Sequence, residues 1–438
     1  MNIILLSGGS GKRLWPLSNE IRSKQFLPLF KDENGNEESM VQRVYRQIKM
    51  ADEHADVTIA TSRSQVSALH NQLGDKISVC IEPCRRDTFP AIVLASVYLH
   101  DVKKLSDKSC VIVCPVDPYV DNSYYEAVRK LEDYVENGDA DLTLMGIEPT
   151  YPSEKYGYII PKTADKVSVV KEFKEKPDVQ TAKKYLAQGA LWNAGVFAFR
   201  LSYLLHIAHQ IIDFQDYDDL LKKYESLEKI SFDYAVVEKA DRIQVIRYEG
   251  EWKDVGTWNT MTEVMDDPYK GNVTIDDTCE NTNIVNELNI PVLCMGCRNM
   301  VIAVSNDGIL VSDKERSGYM KSYVEDIAEN VMYAEKSWGT YTVVDVQENA
   351  VTVKLTLQKD HQMTYHSHKL RDEVWTVLSG EGIVYMDGNQ WKVGPGDTIN
   401  LDAGCRHSIR AESDMTMIEV QIGEHIEQKD KQIYPCAE

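Results

Sequence analysis

A strand-like apolar run, Asn2–Leu6, passes without a break into Ser7-Gly8-Gly9-Ser10-Gly11-Lys12-Arg13-Leu14. Glycines this dense let backbone N–H groups approach phosphate oxygens, because no Cβ holds them off, and Lys12 and Arg13 bring neutralising charge to the same turn. The spacing is not a Walker A loop, which needs glycine where Leu6 stands. Nor is it the dinucleotide fingerprint, which needs glycine where Leu14 stands. Taken alone, the loop is also compatible with ordinary turn glycines.

The segments beyond the loop make it part of an α/β domain. Strand-like runs at Val57–Ala60, Ser109–Cys114 and Leu142–Gly146 alternate with helical patterns at Ser39–Met50 and Ala91–Lys104. That alternation predicts a largely parallel sheet over residues 1–265. From 266 to 328 the texture changes to short β pieces punctuated by Gly271-Asn272 and Asn306-Asp307-Gly308, read as a small β connector. Beyond 329 nearly everything is strand and turn, with Asp387-Gly388-Asn389 and Gly394-Pro395-Gly396-Asp397 separating runs such as Val351–Leu357, Val374–Leu378 and Met415–Gln421. This pattern predicts an all-β barrel or sandwich.

Charge and cysteine use narrow the function classes. A formal charge of −21 over 438 residues argues against nonspecific nucleic-acid binding. Anionic small substrates then need locally placed Lys and Arg. Nine cysteines are an odd number, scattered without secretory features, so reduced thiols are expected, Cys294-x-x-Cys297 included. No apolar run is long enough to cross a bilayer, and the apolar start without a basic n-region reads as a buried strand. The expectation is a cytoplasmic protein acting on neither membrane nor nucleic acid.

The run Gly8-Gly9-Ser10-Gly11-Lys12-Arg13-Leu14-Trp15-Pro16-Leu17-Ser18, succeeded by Ser23-Lys24-Gln25-Phe26-Leu27-Pro28, resembles the signature of sugar-nucleotide pyrophosphorylases, closest to the bacterial long-form mannose-1-phosphate guanylyltransferases. The resemblance continues in order through Glu82–Ile92, Pro115-Val116-Asp117-Pro118, Tyr156-Gly157-Tyr158-Ile159, Phe173-Lys174-Glu175-Lys176-Pro177, Leu191–Phe197, Ser231–Ala235 and Trp252–Trp258. It implies a Rossmann-like, glycosyltransferase-A-like domain that joins a nucleoside triphosphate, GTP above all, to a sugar 1-phosphate. It also implies that Asp117 and Asp254 hold Mg²⁺, a hard cation that takes oxygen ligands. Arg13 and Lys24 would act on the phosphates. Leu6, Gly8, Gly9, Gly11, Lys12, Arg13, Glu82, Arg86 and Asp87 would bind the nucleotide, and Gly157, Glu175, Lys176 and Asn193 the sugar phosphate. Two positions depart from the family pattern: Ser23 replaces a usual proline and Asp87 a usual asparagine.

In the β-rich C-terminal part, His366 and His368 lie two apart, so on a strand both face one side, where Glu373 and His407 from other strands can join them. Three imidazoles and one carboxylate suit Zn²⁺, Fe²⁺, Mn²⁺ or Ni²⁺. Buried, hydrogen-bonded histidines without a metal are the plainer alternative. The spacing resembles the two motifs of the cupin fold, and the framing strings Ser337–Tyr341 and Glu419–Gly423 resemble type II mannose-6-phosphate isomerases. That resemblance implies an isomerase activity, yet His368 is followed by Lys369 where the family has arginine, and Gly423–Tyr434 contains lysines only. Family analogy further implies a homo-oligomer. Two alternatives stand beside this reading: a nucleotidyltransferase for another base or sugar, and a sugar-nucleotide sensor without turnover.

Overall fold

The computed structural model describes residues 1–9, 12–19, 21–327 and 332–435. Ser10 and Gly11 of the glycine loop lie outside the described residues, as does the expected boundary at 328/329. Residues 2–248 build a nine-stranded sheet. Asn2–Leu6 pairs in parallel with Asp56–Ser62 on one side and Cys110–Pro115 on the other, and Ser78–Glu82 extends the parallel set. The second half is mixed. Leu191–Arg200 runs antiparallel to Cys110–Pro115 and to Leu142–Ile147, while Ile243–Tyr248 returns parallel to Leu142–Ile147. The expected parallel character therefore belongs to the N-terminal half.

Side-chain alternation feeds two cores. Ile3, Leu5, Ile112 and Cys114 point into one apolar cluster, and Ile4, Val111 and Val113 into the other. Both faces are covered by helices. Thr88–Asp101, apolar almost all round, is buried along most of its length. Ser123–Asn137 instead buries one stripe, Tyr124, Tyr125, Val128, Leu131 and Val135. Met40–Ala51 starts at a capping box in which Ser39 and Gln42 satisfy each other's backbone N–H. Because the strands of the N-terminal half are parallel, their C-terminal ends lie together, and Leu6, Glu82 and Pro115 end three of them. Open α/β sheets bind ligands at that edge.

The next strands stack as parallel rungs: Tyr269–Lys270, Asn283–Asn286 and Met300–Ser305, closed by the antiparallel Gly308–Asp313. This layer packs on the loop that succeeds the glycines. Ser305 Oγ donates to the Pro16 carbonyl at 2.7 Å. Arg22, buried, pairs with Glu287 at 2.8 Å and lies 3.9 Å from Glu335, with its guanidinium 5.0 Å from the Tyr333 ring centre.

The remaining strands form two facing sheets. One holds Tyr333–Lys336, Gly339–Gln347, Ala350–Leu357, Asp372–Ser379, Thr398–Leu401 and Met415–Ile422, and the other Gly382–Met386, Asn389–Val393, His407–Ala411, His366–His368 and Lys431–Ile433. Trp375, Val353, Leu355, Val384, Ile409 and Met417 fill the space between them.

Gly308 marks how tightly the rung layer grips the N-terminal loop. Its φ is +147°, and a Cβ there would stand 2.5 Å from Trp15 Cζ2. Gly308→Ala is expected to cost about 1–3 kcal/mol through backbone strain and overpacking, read as a lower urea midpoint at unchanged m-value.

Candidate active site

Asp117 comes just after the strand Cys110–Pro115, where the chain turns into the short strand Pro118–Val120. That strand pairs with Trp252–Asp254 in a register that sets Asp254 opposite Pro118, so two carboxylates far apart in sequence become neighbours. Lys24 Nζ donates to Asp117 Oδ2 at 2.9 Å and to the Val255 carbonyl at 3.1 Å, tying both sides of the ribbon. Burial opposes ionisation of Asp117, but the Lys24 charge and hydrogen bond outweigh it and hold its carboxyl below the usual range. Asp254 is pushed the other way, by burial and by the charge of Asp117. Tyr156 Oη donates to Asp254 Oδ2 at 3.4 Å. Arg13 is exposed, and its charge lowers the pKa of both carboxylates.

The glycine loop is pinned from behind. Ser23 Oγ donates to the Gly9 carbonyl at 2.8 Å and accepts from Gln65 Nε2 at 2.6 Å. The serine that replaces the usual proline thus holds the loop by its hydroxyl. A Cβ on Gly8 would lie 3.2 Å from Glu82 Oε1, so the loop runs against the end of Ser78–Glu82. Glu82 is buried, accepts from Tyr224 Oη at 2.8 Å, and has its pKa raised by that burial. Leu6 ends the first strand, and Lys12 begins the single turn Lys12–Leu14 beyond the loop. Arg86 donates to the Glu225 carbonyl. Asp87 caps Thr88–Asp101 through its own side chain with φ 68° and ψ −176°, a conformation close to glycine-only.

A second group of residues adjoins Asp254 through Tyr156. The Asn193 N–H donates to the Gly157 carbonyl at 2.8 Å, and Asn193 Nδ2 donates to Asp233 Oδ1 at 2.7 Å. Lys176, with φ 44°, donates from Nζ to Glu175 Oε1 at 2.6 Å. Glycine at 157 is required by contact: a Cβ would come within 2.5 Å of Glu175 Oε2 and 2.9 Å of Phe173 Cζ. Tyr156, Trp192 and Trp252 stand beside it, with ring centres 4.8 Å apart for Tyr156–Trp192 and 5.8 Å for Tyr156–Trp252. Trp258 is core, its Nε1–H spent on the Trp15 carbonyl at 2.9 Å.

Far along the chain, His366, His368, Glu373 and His407 converge as expected, all buried, with one ligand atom each lying within 4.8 Å of the others. The Nδ1 of His366 meets the Thr364 carbonyl at 2.6 Å and that of His407 the Cys405 carbonyl at 3.0 Å. A carbonyl only accepts, so both rings carry a proton on Nδ1 and turn Nε2 inward. Burial lowers the His366 pKa to about 2 and that of His368 to about 4, which keeps both rings in the neutral, ligating form. Arg371 Nε donates to Glu373 Oε1 at 2.9 Å and its Nη2 to His368 Nε2 at 2.9 Å. An arginine thus stands against the cluster from three residues beyond His368.

Residues 2–270 match the nucleotidyl transferase family, and residues 353–421 match the cupin domain. The chain belongs to the nucleotidyl transferase family. Among its relatives, the xanthan biosynthesis protein XanB of Xanthomonas campestris is 30% identical over 98% of this chain and 96% of its own length. A mannose-1-phosphate guanylyltransferase of Escherichia coli is 29% identical over 98% of this chain and 97% of its own. In structure, a Thermus thermophilus protein described as a mannose-1-phosphate geranyltransferase superposes with a TM-score of 0.61 at 27% identity, covering 74% of this chain and 98% of that one.

Within the nucleotidyl transferase domain, sequence reasoning quoted Asp233 and Tyr156 as parts of segments without giving them a role. Their contacts with Asn193 and Asp254 supply one, and only the folded register reveals it. Tyr224, which holds Glu82, and Arg371 in the cupin carried no signal of their own.

Asp233 makes the nucleotidyl transferase domain pH-sensitive. Burial, then the charge of Glu175, raises its pKa to about 7. Between about pH 4, where an unfolded aspartate titrates, and about 7, the native state binds more protons than the unfolded one. Stability from this group is full below that window and is lost as pH rises through it, by up to about 1.4 kcal/mol per unit. Asp233→Asn is expected to remove this slope from a plot of urea midpoint against pH. Gly157→Ala is expected to cut kcat/KM at least about tenfold, because nearby displacements of an ångström cost as much or more; steady-state kinetics reads it.

Proposed function

We propose that the chain is a mannose-1-phosphate guanylyltransferase, joining GTP to mannose 1-phosphate and releasing pyrophosphate as GDP-mannose forms. The observation that carries this reading is the convergence of Asp117 and Asp254 under Lys24 and Arg13, at the strand ends where the glycine loop begins. The names of the relatives in Escherichia coli and Xanthomonas campestris support the sugar and the polysaccharide setting.

In this reading a phosphate oxygen of the sugar 1-phosphate attacks the α-phosphorus of the triphosphate, the bond to the bridging oxygen breaks, and pyrophosphate leaves. The protein supplies position and charge rather than a covalent nucleophile. Leu6, Gly8, Gly9, Gly11 and Lys12 cradle the nucleotide, with Glu82, Arg86 and Asp87 on the base side. Arg13 covers the phosphates, and Lys24 holds Asp117 while facing the nucleotide phosphates. On the other side Lys176 takes the phosphate of the sugar, Glu175 and Asn193 bind its hydroxyls, and Gly157 lets it approach the backbone. Asp117 and Asp254 fit Mg²⁺: they are hard oxygen donors side by side, and a bound cation would offset the burial and the Asp117 charge that together raise Asp254. When bound, Mg²⁺ withdraws charge from the reacting phosphates. We assign residues 1–265 to the transferase, 266–328 to the connector and 329–438 to the cupin.

A second activity is favoured by one observation, the presence of Arg371 beside the His366, His368, Glu373 and His407 cage. It restores the arginine of the isomerase pattern. The cage fits a divalent transition metal such as Zn²⁺, since Glu373 Oε2 and His407 Nε2 are buried without a hydrogen-bond partner. A metal there polarises a carbonyl oxygen, as interconversion of fructose 6-phosphate and mannose 6-phosphate requires.

Pyrophosphate release with Mg²⁺ across five nucleoside triphosphates and several sugar 1-phosphates tests the transferase. The highest rate is expected for GTP with mannose 1-phosphate, and Asp117→Ala or Asp254→Ala should lower kcat by roughly 10²–10³. A maximum at another pair changes the substrate, and silence throughout overturns the reading.

A further inference from the structure

Half of the cupin cage is open and half is capped. On the open side, Glu373 Oε2 and His407 Nε2 lie 3.3 Å apart, both buried and lacking a hydrogen-bond partner. On the capped side, the guanidinium of Arg371 spans His368 Nε2 and Glu373 Oε1, 2.9 Å from each. Arginine remains protonated in proteins and only donates, so its N–H engages the imidazole lone pair of His368. A divalent ion needs that same lone pair, at about 2.0–2.1 Å for zinc. The tautomer is already the ligating one, with the proton on Nδ1. What separates the capped cage from a four-ligand metal site is therefore the position of a single guanidinium.

We propose that Arg371 and a divalent transition-metal ion compete for His368 Nε2 and Glu373 Oε1, so that the cupin takes its metal only as the guanidinium withdraws. The inference rests on the reading of the cage as a metal site and is independent of the transferase reaction. Like charge enforces the exchange, because a dication at the cage centre and a guanidinium on the same donors repel across a buried space. The withdrawn side chain keeps an anchor. Its Nη1 donates to the Glu427 carbonyl at 3.2 Å, just ahead of the strand Lys431–Ile433 that pairs with His366–His368. The Lys369 and Leu370 N–H groups donate to Asp430 at 3.1 and 2.9 Å, so Arg371 comes directly after a turn already tied to that segment. Metal affinity is thus set by a built-in competitor as well as by four ligands.

Titration of the full-length protein with Co²⁺ tests this, read by the visible ligand-field bands of the ion and by the cobalt-to-protein ratio after desalting. Arg371→Met keeps length and apolar bulk but removes the donors, and is expected to bind Co²⁺ at least tenfold more tightly than the parent. Arg371→Lys, a point charge without the fork, is expected to fall between them, and decides the matter if the methionine variant does not fold. His407→Ala, in either background, identifies the cage bands by their loss and separates them from Co²⁺ on Asp117 and Asp254. Equal or weaker binding in the folded Arg371 variants overturns the competition while leaving the metal site standing. Absence of cage bands in parent and variants alike removes the metal site and the competition together.

Discussion

The candidate active site depends on one unfavourable arrangement, two carboxylates held side by side. Left to themselves, Asp117 and Asp254 would separate or take up a proton. The short ribbon of Pro118–Val120 against Trp252–Asp254 prevents the first. Lys24 prevents the second at Asp117 with a charge-assisted hydrogen bond, while another of its three N–H groups donates to the Val255 carbonyl. The ribbon is anchored by the parallel sheet below it, and Lys24 by a turn whose flanking Gln25 and Phe26 are buried. Much of the N-terminal architecture thus holds two carboxylates side by side against their mutual repulsion.

The cupin solves a related problem with the opposite economy. Its buried acid, Glu373, lies among three imidazoles and is neutralised by Arg371 from two residues away. Charge neutrality is met within one strand and the turn before it, whereas the transferase recruits Lys24 from almost a hundred residues away. Glu419 lies behind the cage with Trp375 Nε1 donating to it at 3.0 Å, and burial, then the charge of Glu373, raises its pKa to about 7. A second full charge is thereby disfavoured in the same interior.

What the sequence disclosed was whatever is local or periodic. The strand and loop of Asn2–Arg13, the paired histidines two apart, and the turn residues of the β-rich part could all be read from spacing, because backbone geometry converts spacing directly into facing. The mixed second half of the sheet was not legible. Strand direction depends on how Leu191–Arg200 inserts between Cys110–Pro115 and Leu142–Ile147, a long-range choice with no local mark. Arg371 had no mark of its own, because its meaning lies in the contacts its guanidinium makes with Glu373 and His368. Asp233 and Tyr156 needed partners from other strands before they meant anything, and the part played by Ser23 shows only in its hydroxyl bond to Gly9.

Arg22 sits in the loop that carries Lys24, yet its partners Glu287 and Glu335 belong to the rung layer and to the first strand of the β-rich C-terminal part. This has a meaning in time as well as in space. A chain emerging from the ribosome has completed the sheet and both carboxylates by residue 254, but Arg22 meets its carboxylate partners only once residues 287 and 335 have emerged. The loop that carries Lys24, although encoded near the start, therefore gains its last ionic contacts only as the β-rich C-terminal part begins to form.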